Sequence, residues 1–507
     1  MHGEHLSPEE RDLLAPYVTN LDRPVFALQH LPEEVVAVLF AYYSRSRDSL
    51  RRNLLSLITA GDLDLIGQHA PPPPMPAVAQ AQEKARQFHE KWVVGYGHAS
   101  VAEHAVAHLA IEDVSMVASK VIEDMRLASF TEKSTRYVPF DAIRYYPLPD
   151  LHDPESEAVY HDTIKALFTT YNTLLPQVIT AVQNDWPRQP RQTERGYEAA
   201  CRAKALDLLR YLLPASTLTN IGMTINGRAL EHLLTKMLSH PLPEVQRIGT
   251  MLKEEAQKII PTLLKYAERN PYLVDTDAAI QTLAQAFIQP DSPQGQKAVR
   301  LIQAPNEAEE TLVAAILYSH SHHDWPHLYA CVRQLSNDDK ARIIDEYLRR
   351  RGPHDQPLRA LEHLTYTFEI LVDFGAYRDI QRHRMATQTR QMPAPQHGYS
   401  KLDELDRYGL QDAFDRCMAQ AASAYDRIAQ IDPQLASYVL PLAYRCRILI
   451  TWNLREIHHF VQLRSAKQGH TSYRRIAQGV YGAVAQRHPL LARYICVDMN
   501  DYTLARL

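Results

Sequence analysis

Four landmarks recur in the same order in the two halves of this 507-residue chain, and they restrict its folding more than any other feature. The first is "YYSRSRD" at 42–48, echoed by "LYSHSHHD" at 317–324. Then comes Glu-His, at Glu103-His104 and again at Glu362-His363, each followed by an alternating strand pattern and a helical stretch. The helical stretches end in Met125-Arg126 and in His383-Arg384. Last comes Leu-Pro, eleven residues, Asn-x-Arg and a histidine four residues after the arginine: Pro214, Asn226, Arg228 and His232, then Pro441, Asn453, Arg455 and His459. A unit of roughly 200 residues has been duplicated in tandem.

The unit reads as α+β, with helices packed on a small, mostly antiparallel sheet. "HAVAHLAIEDV" and "HLTYTFEILVD" alternate as strands, whereas 32–58, 254–270 and 402–431 carry apolar residues at helical spacing. "PPPPMP" at 71–76 reads as a surface polyproline turn. Mixed signals and Pro/Gly punctuation near 270–299 place the boundary there, giving repeat 1 at 1–275, a linker at 276–304 and repeat 2 at 305–507. With 17 glycines and no G-x-G-x-x-G or G-x-x-x-x-G-K-[ST], a Rossmann or P-loop nucleotide site is not expected. A net charge of -4 gives no reason to expect nucleic-acid binding. Five scattered cysteines without C-x-x-C argue against a disulfide framework or zinc knuckle, and no apolar run suits a membrane span. A cytoplasmic location is expected. No metal is expected, because the histidines at 320–323 face arginines in the first half's counterpart, and arginine is not a metal ligand.

Taken singly the polar motifs are weak. Arg382-His383-Arg384 could be a solvated face, Asn226 and Asn453 helix N-caps, and the two Glu-His pairs buried hydrogen-bonded pairs. Together they resemble the flavin-dependent thymidylate synthase family, whose signature is R-H-R-x-x-S-x-x-E-x-S-x-R-Y preceded by G-H-x-S-x-x-E-H. Gly97-His98-Ala99-Ser100 and Glu103-His104 match the preceding part. The resemblance covers most of both halves.

Each half departs from the signature in a different place. Repeat 1 has Asp124-Met125-Arg126 for R-H-R but keeps Ser129, Glu132, Ser134, Arg136 and Tyr137. Repeat 2 keeps Arg382, His383 and Arg384, then has Thr387, Arg390 and Met392-Pro393-Ala394-Pro395 where the loop should be. The family's arginine four residues before the Leu-Pro proline is Arg210 in repeat 1 and Ser437 in repeat 2. Its arginine eleven residues after the asparagine is Arg464 in repeat 2 and Met237 in repeat 1. Because the family builds its site between subunits, these complementary losses imply one composite site per chain and a decayed twin.

The resemblance implies FAD-dependent reductive methylation of dUMP to dTMP, with methylenetetrahydrofolate and NADPH as co-substrates. It implies substrate contacts from Glu132, Lys133, Ser134, Thr135, Arg136, Arg210, Arg382 and Arg464, with Arg464, Ser134 and Arg384 in catalysis. Flavin contacts would come from Arg382, His383, Arg384, Glu132, Ser100 and His98, with Asn453, Arg455 and His459 or their counterparts Asn226, Arg228 and His232. A homodimer mimicking a four-unit family assembly is implied, its partners being small molecules. Asp379 stands where the family has a neutral residue, so another pyrimidine nucleotide is the alternative substrate. The alternative from another class is a non-catalytic nucleotide- or flavin-binding paralogue.

Overall fold

The computed structural model describes residues 6–22, 28–33, 35, 36, 39, 49–59, 99–288 and 297–502. The chain forms two compact units, and neither is a contiguous half. The first comprises Met1–Glu112, Leu127–Glu132 and Asn220–Ile288; the second comprises Asp113–Arg126, Lys133–Thr219 and Gln289–Leu507.

The first unit carries a three-stranded sheet of β1 (Val106–Ser115), β2 (Ala128–Glu132) and β3 (Leu218–Asn226), in the order β1-β3-β2. β2 runs antiparallel to β3, with Ala128 opposite Ile225 and Glu132 opposite Ile221. Along β3 the buried residues Ile221, Met223 and Ile225 alternate with more exposed ones, the period-2 pattern of a half-covered sheet. The second unit has β4 (Val299–Gln303), β5 (Thr365–Asp373), β6 (Ala386–Arg390) and β7 (Arg445–Asn453), in the order β4-β5-β7-β6. Setting aside β4, the two sheets share one strand order, so the duplication read from sequence is a duplication of topology. The α+β class and the tandem arrangement stand.

The second unit is where the two repeats meet. The helices Pro154–Asp185 and Glu194–Leu209 belong to the first half of the chain, yet Pro154–Asp185 packs against Gln411–Ile431 of the second. The Leu-Pro landmarks pair with each other. Ala215 N–H donates to Leu440 O at 2.8 Å and Leu442 N–H donates to Leu213 O at 2.9 Å, while Pro214 and Pro441 form a β-bridge. Ser216 N–H to Tyr438 O and Ala443 N–H to Tyr211 O extend the pattern, each bond mapping onto its mate by the spacing that relates Pro214 to Pro441. Each segment thus satisfies the other's buried backbone groups across a local two-fold. The segments carrying the helices Met116–Ile122 and Phe374–Ile380 also meet, with Gln381 Nε2 donating to Lys120 O at 2.6 Å.

Both alternating segments form the expected strands, as β1 and β5. Three long helical readings need correction. The run 32–58 is not one helix: Ser49 is non-helical and a separate helix spans Leu50–Thr59. The run 254–270 fails because the helix Pro243–Ala256 ends there, and Pro261, lacking an amide hydrogen, precedes only a short 3₁₀ turn at Thr262–Leu264. The run 402–431 is two helices, Asp403–Arg407 and Gln411–Ile431, parted by Gly409 at φ +70°. The stretch 276–304 holds most of the helix Pro271–Phe287 and all of β4, the edge strand of the second sheet. The polyproline run and the "YYSRSRD" segment lie outside the described residues.

Candidate active site

Two arginines from the first half share a buried carboxylate. The helix Glu194–Leu209 ends with Asp207 one turn before Arg210, so both side chains project from the same end of that helix. Arg136 lies in the turn after β2, where Ser134 Oγ accepts the Arg136 N–H at 3.3 Å and tightens the loop. Its guanidinium grips Asp207 with two bonds, Nε to Oδ1 at 2.5 Å and Nη2 to Oδ2 at 3.1 Å. A further bond from Nη1 reaches Tyr473 Oη at 2.9 Å. Burial alone would push the Asp207 carboxyl upward, but the charges of Arg136 and Arg210 hold it well below the usual carboxylate range. Arg210 is 2% exposed, and its Nε and Nη2 have no hydrogen-bond partner. Its nearest acids are at ion-pair range only, Asp207 Oδ1 at 3.9 Å and Asp379 Oδ2 at 3.8 Å.

The second half supplies the opposite wall. Asn453 caps the helix Leu454–Ser465, its Oδ1 accepting the Glu456 N–H at 2.8 Å. Glu456, Phe460 and Arg464 recur every four residues along that helix, and all three meet one histidine. His383 receives Arg464 Nε–H at Nε2 (2.9 Å), faces Glu456 Oε1 from Nδ1 (2.7 Å) and stacks edge-on to Phe460 with centroids 5.0 Å apart. Since Nε2 accepts, the neutral ring carries its hydrogen on Nδ1 and donates it to Glu456. Burial, then the charge of Arg464, lowers the His383 pKa well below the ordinary imidazole value, so the ring is neutral. Burial raises Glu456 to about 7. Arg464 also lies 3.5 Å from Asp379 and over the Tyr473 ring at 5.4 Å.

The result is one cluster of residues from both repeats: Arg136, Arg210 and Asp207 from the first, Asp379, His383, Arg464 and Tyr473 from the second. Three guanidiniums face two carboxylates, with His383 neutral and His470 driven neutral by burial. The excess of positive charge and the unpaired N–H groups of Arg210 suit an anion.

The sequence pattern of the thymidylate synthase complementing protein family matches residues 62–262 and 300–490, more than half of the chain. The chain belongs to that family. It is 37% identical over 519 residues to a UPF0159 protein of Chlamydia muridarum, covering 99% of this chain and 97% of that one. A UPF0159 protein of Thermoplasma acidophilum is 30% identical over 459 residues, 84% of this chain and 91% of the other. A flavin-dependent thymidylate synthase of Thermococcus onnurineus is 28% identical over 192 residues, 38% of this chain and 67% of that enzyme. The double match bears out the tandem family reading.

Other signature residues are spent locally. Arg455 binds Pro357 O at 2.7 Å and Glu362 at 3.0 Å, and in the first unit Arg228 pairs with Glu103. The arginine of Asn-x-Arg therefore clamps the glutamate of Glu-His in both repeats. Asn226 caps its helix as Asn453 does, accepting Ala229 N–H at 2.8 Å. Arg382 is exposed and Arg384 half-buried, its pKa lowered by burial and by the charge of Arg382 against the opposing pull of Glu123. Thr135 is buried, and Lys133 sits 4.8 Å above the Phe140 ring. Ser100 and Glu132 belong to the first unit, Ser100 exposed and Glu132 at the end of β2, while His98 is outside the described residues. His459 packs 5.3 Å from the His383 ring. His383, Glu456 and His459 offer donor atoms within 4.8 Å of one another, but the His383 nitrogens are already committed to Arg464 and Glu456.

Asp207, Glu456 and Tyr473 were not singled out from sequence. The spacing that relates Asn226 to Asn453 sets Ala229 against Glu456 and Gln434 against Asp207, and the spacing of Arg126 to Arg384 sets Val121 against Asp379. The comparison that isolated the arginines also isolates their acids.

Proposed function

We propose that the chain catalyses FAD-dependent reductive methylation of dUMP to dTMP at one composite site, with methylenetetrahydrofolate and NADPH as co-substrates. The supporting observation is the convergence of Arg136 and Arg210 with His383 and Arg464, because these are the residues that the complementary losses leave intact. Arg210 Nε and Nη2 lack acceptors, and phosphate oxygens of the nucleotide would complete them with charge-assisted bonds of about 1.5–3 kcal/mol each. Asp207 holds the Arg136 guanidinium in plane for the same group, and Ser134 shapes the loop that presents it. In this reading Arg464 supplies fixed positive charge that stabilises negative charge developing on the pyrimidine ring.

The donor set also fits a flavin. Arg382 and Arg384 leave the end of the helix Phe374–Ile380 as paired cations, only partly covered, which suits the diphosphate of FAD without a glycine loop. His459, next to His383, and Arg384 are the residues that would hold it in this unit; bound FAD supplies the reducing equivalents. The protein's own part is to orient the nucleotide, keep its charge compensated and bury the reacting face. Two chains would associate as a homodimer to mimic the family's four-unit assembly.

Asp379 favours a second reading, in which the base is another pyrimidine. Its carboxylate lies 3.5 Å from Arg464, so an acceptor is offered beside the base position. The test is direct: purified protein should be yellow with flavin and should form dTMP from dUMP, methylenetetrahydrofolate and NADPH. Arg136→Ala and Arg384→Ala should abolish turnover, while Arg390→Ala retains it per folded molecule. Protein that takes up no flavin and forms no methylated nucleotide refutes the proposal; methylation of a different pyrimidine selects the second reading.

A further inference from the structure

The His383 ring packs against residues of one helix, and two of them, Arg464 and Glu456, hydrogen-bond its two nitrogens and so bear on its tautomer. Arg464 Nε–H is a donor that never gives up its hydrogen, so it requires a bare Nε2. A neutral imidazole has a bare Nε2 only when Nδ1 carries the hydrogen, and that hydrogen needs an acceptor in a site where His383 is 4% exposed. Glu456 Oε1, 2.7 Å from Nδ1, is that acceptor. Phe460 packs against the ring and offers no polar atom.

We propose that Glu456 is a positioning residue: by accepting the Nδ1–H of His383 it fixes the tautomer whose Nε2 anchors Arg464. The inference rests on the reading of Arg464 as the cation beside the substrate base. Without Glu456, the Nε2–H tautomer would set two N–H groups against each other and push the Arg464 guanidinium off its aim. Its remaining contacts, Asp379 at 3.5 Å and the Tyr473 ring, would then draw it elsewhere. The decayed twin supports the assignment independently. There Met237 stands for Arg464, Met125 for His383 and Ala229 for Glu456, so all three links disappear together.

The charged and titratable groups facing the pair are few. Glu456 has His383, His459 and Arg455 around it, and His383 has Arg464, His459 and Asp379. Burial keeps Glu456 partly protonated near neutrality, and its ionised form is the stronger acceptor, so turnover of the wild type should rise through about pH 7.

Two substitutions test this, Glu456→Leu, which removes the acceptor, and Glu456→Gln, which keeps a neutral one. Ring ¹⁵N shifts of His383, assigned by loss of the signal in His383→Gln, should report Nδ1–H in the wild type and in Glu456→Gln. Glu456→Leu should show a mixture or the reversed tautomer. In turnover, Glu456→Leu should lose tenfold or more in kcat, of the order expected for a displaced catalytic group. Glu456→Gln should recover most of that loss and lack the rise through pH 7. An unchanged tautomer in Glu456→Leu overturns the inference, as does a Glu456→Gln protein that folds but is as impaired as Glu456→Leu. The ring measurement needs no substrate or flavin, so a wild type that makes no dTMP would defeat the proposed function and leave this test intact.

Discussion

Asp207→Asn isolates the carboxylate on which the first-half cations depend. Asparagine has nearly the same shape and still offers Oδ1 to Arg136 Nε, so the change removes charge and one of two bonds. The side chains of Arg136 and Asp207 are 11% and 12% exposed, which puts the pair among buried ion pairs. Breaking such a pair from one side costs about 3–5 kcal/mol, because the surviving charge stays buried. The retained acceptor argues for the lower end, about 3 kcal/mol. For the second unit, larger than 250 residues, that corresponds to a fall in melting temperature of roughly 4 °C. The sign of the pH dependence follows from the depressed carboxyl: its stabilisation is complete above the ordinary aspartate pKa, near 4. It is lost as pH falls from there toward the folded value. Thermal melts from pH 7 to pH 3 should therefore show the gap between wild type and Asp207→Asn narrowing below about pH 4. Phosphate should narrow the gap at pH 7, since Arg136 and Arg210 lose their shared counter-ion. A loss below 1 °C at pH 7, or a gap that persists unchanged to pH 3, would refute the claim that Asp207 carries the charge balance.

Two further substitutions probe the repeats themselves. Met237→Arg restores the signature arginine to the first repeat, but Met237 is fully buried and a Cβ on Gly249 would already lie 2.9 Å from it. The variant should lose several kcal/mol in a denaturant melt and gain no second site by nucleotide titration. Gly398 sits at φ +66°, ψ -167°, a region open almost only to glycine. Gly398→Ala should cost about 1–3 kcal/mol by the same melt, with its effect on β7 through the Arg445 N–H that Gly398 O accepts at 3.0 Å.

Local pattern revealed the strands and the duplication, and long-range packing hid the rest. β1 and β5 were legible because alternation along a sheet with one buried face leaves a period of two in the sequence. The breaks at Pro261 and Gly409 were also written in the chain, but apolar periodicity continues across both and masks them. The compact units were not legible. Nothing local says that Pro154–Asp185 packs against Gln411–Ile431, or that Leu440 O accepts from Ala215 N–H and Leu213 O from Leu442 N–H. In the candidate site a family signature names the cations and marks Asp379 as a departure, but it names neither Asp207 nor Glu456. Asp207 and Glu456 matter through what they hold, and a residue of that kind shows only when its partner's geometry is known.

On the proposed reading of one working site, the replacements at the second set of signature positions follow from physical chemistry rather than chance. A buried arginine or histidine is tolerated only while its partners are present, since an unpaired buried charge costs several kcal/mol. Once one member of a network goes, the others become liabilities, and the stabilising replacements are apolar or small: Met237 for Arg464, Met125 for His383, Ala229 for Glu456 and Ser437 for Arg210. Met237 is now core, with no exposed surface, and Ser437 is 1% exposed. The same logic protects the surviving cluster. Arg136, Asp207, Arg210, Asp379, Arg464, His383 and Glu456 form one connected set of ion pairs and hydrogen bonds, so loss of any member is felt by its neighbours. Fusion of the repeats makes the asymmetry possible, because in a symmetric assembly of identical subunits one substitution would strike every copy of the site.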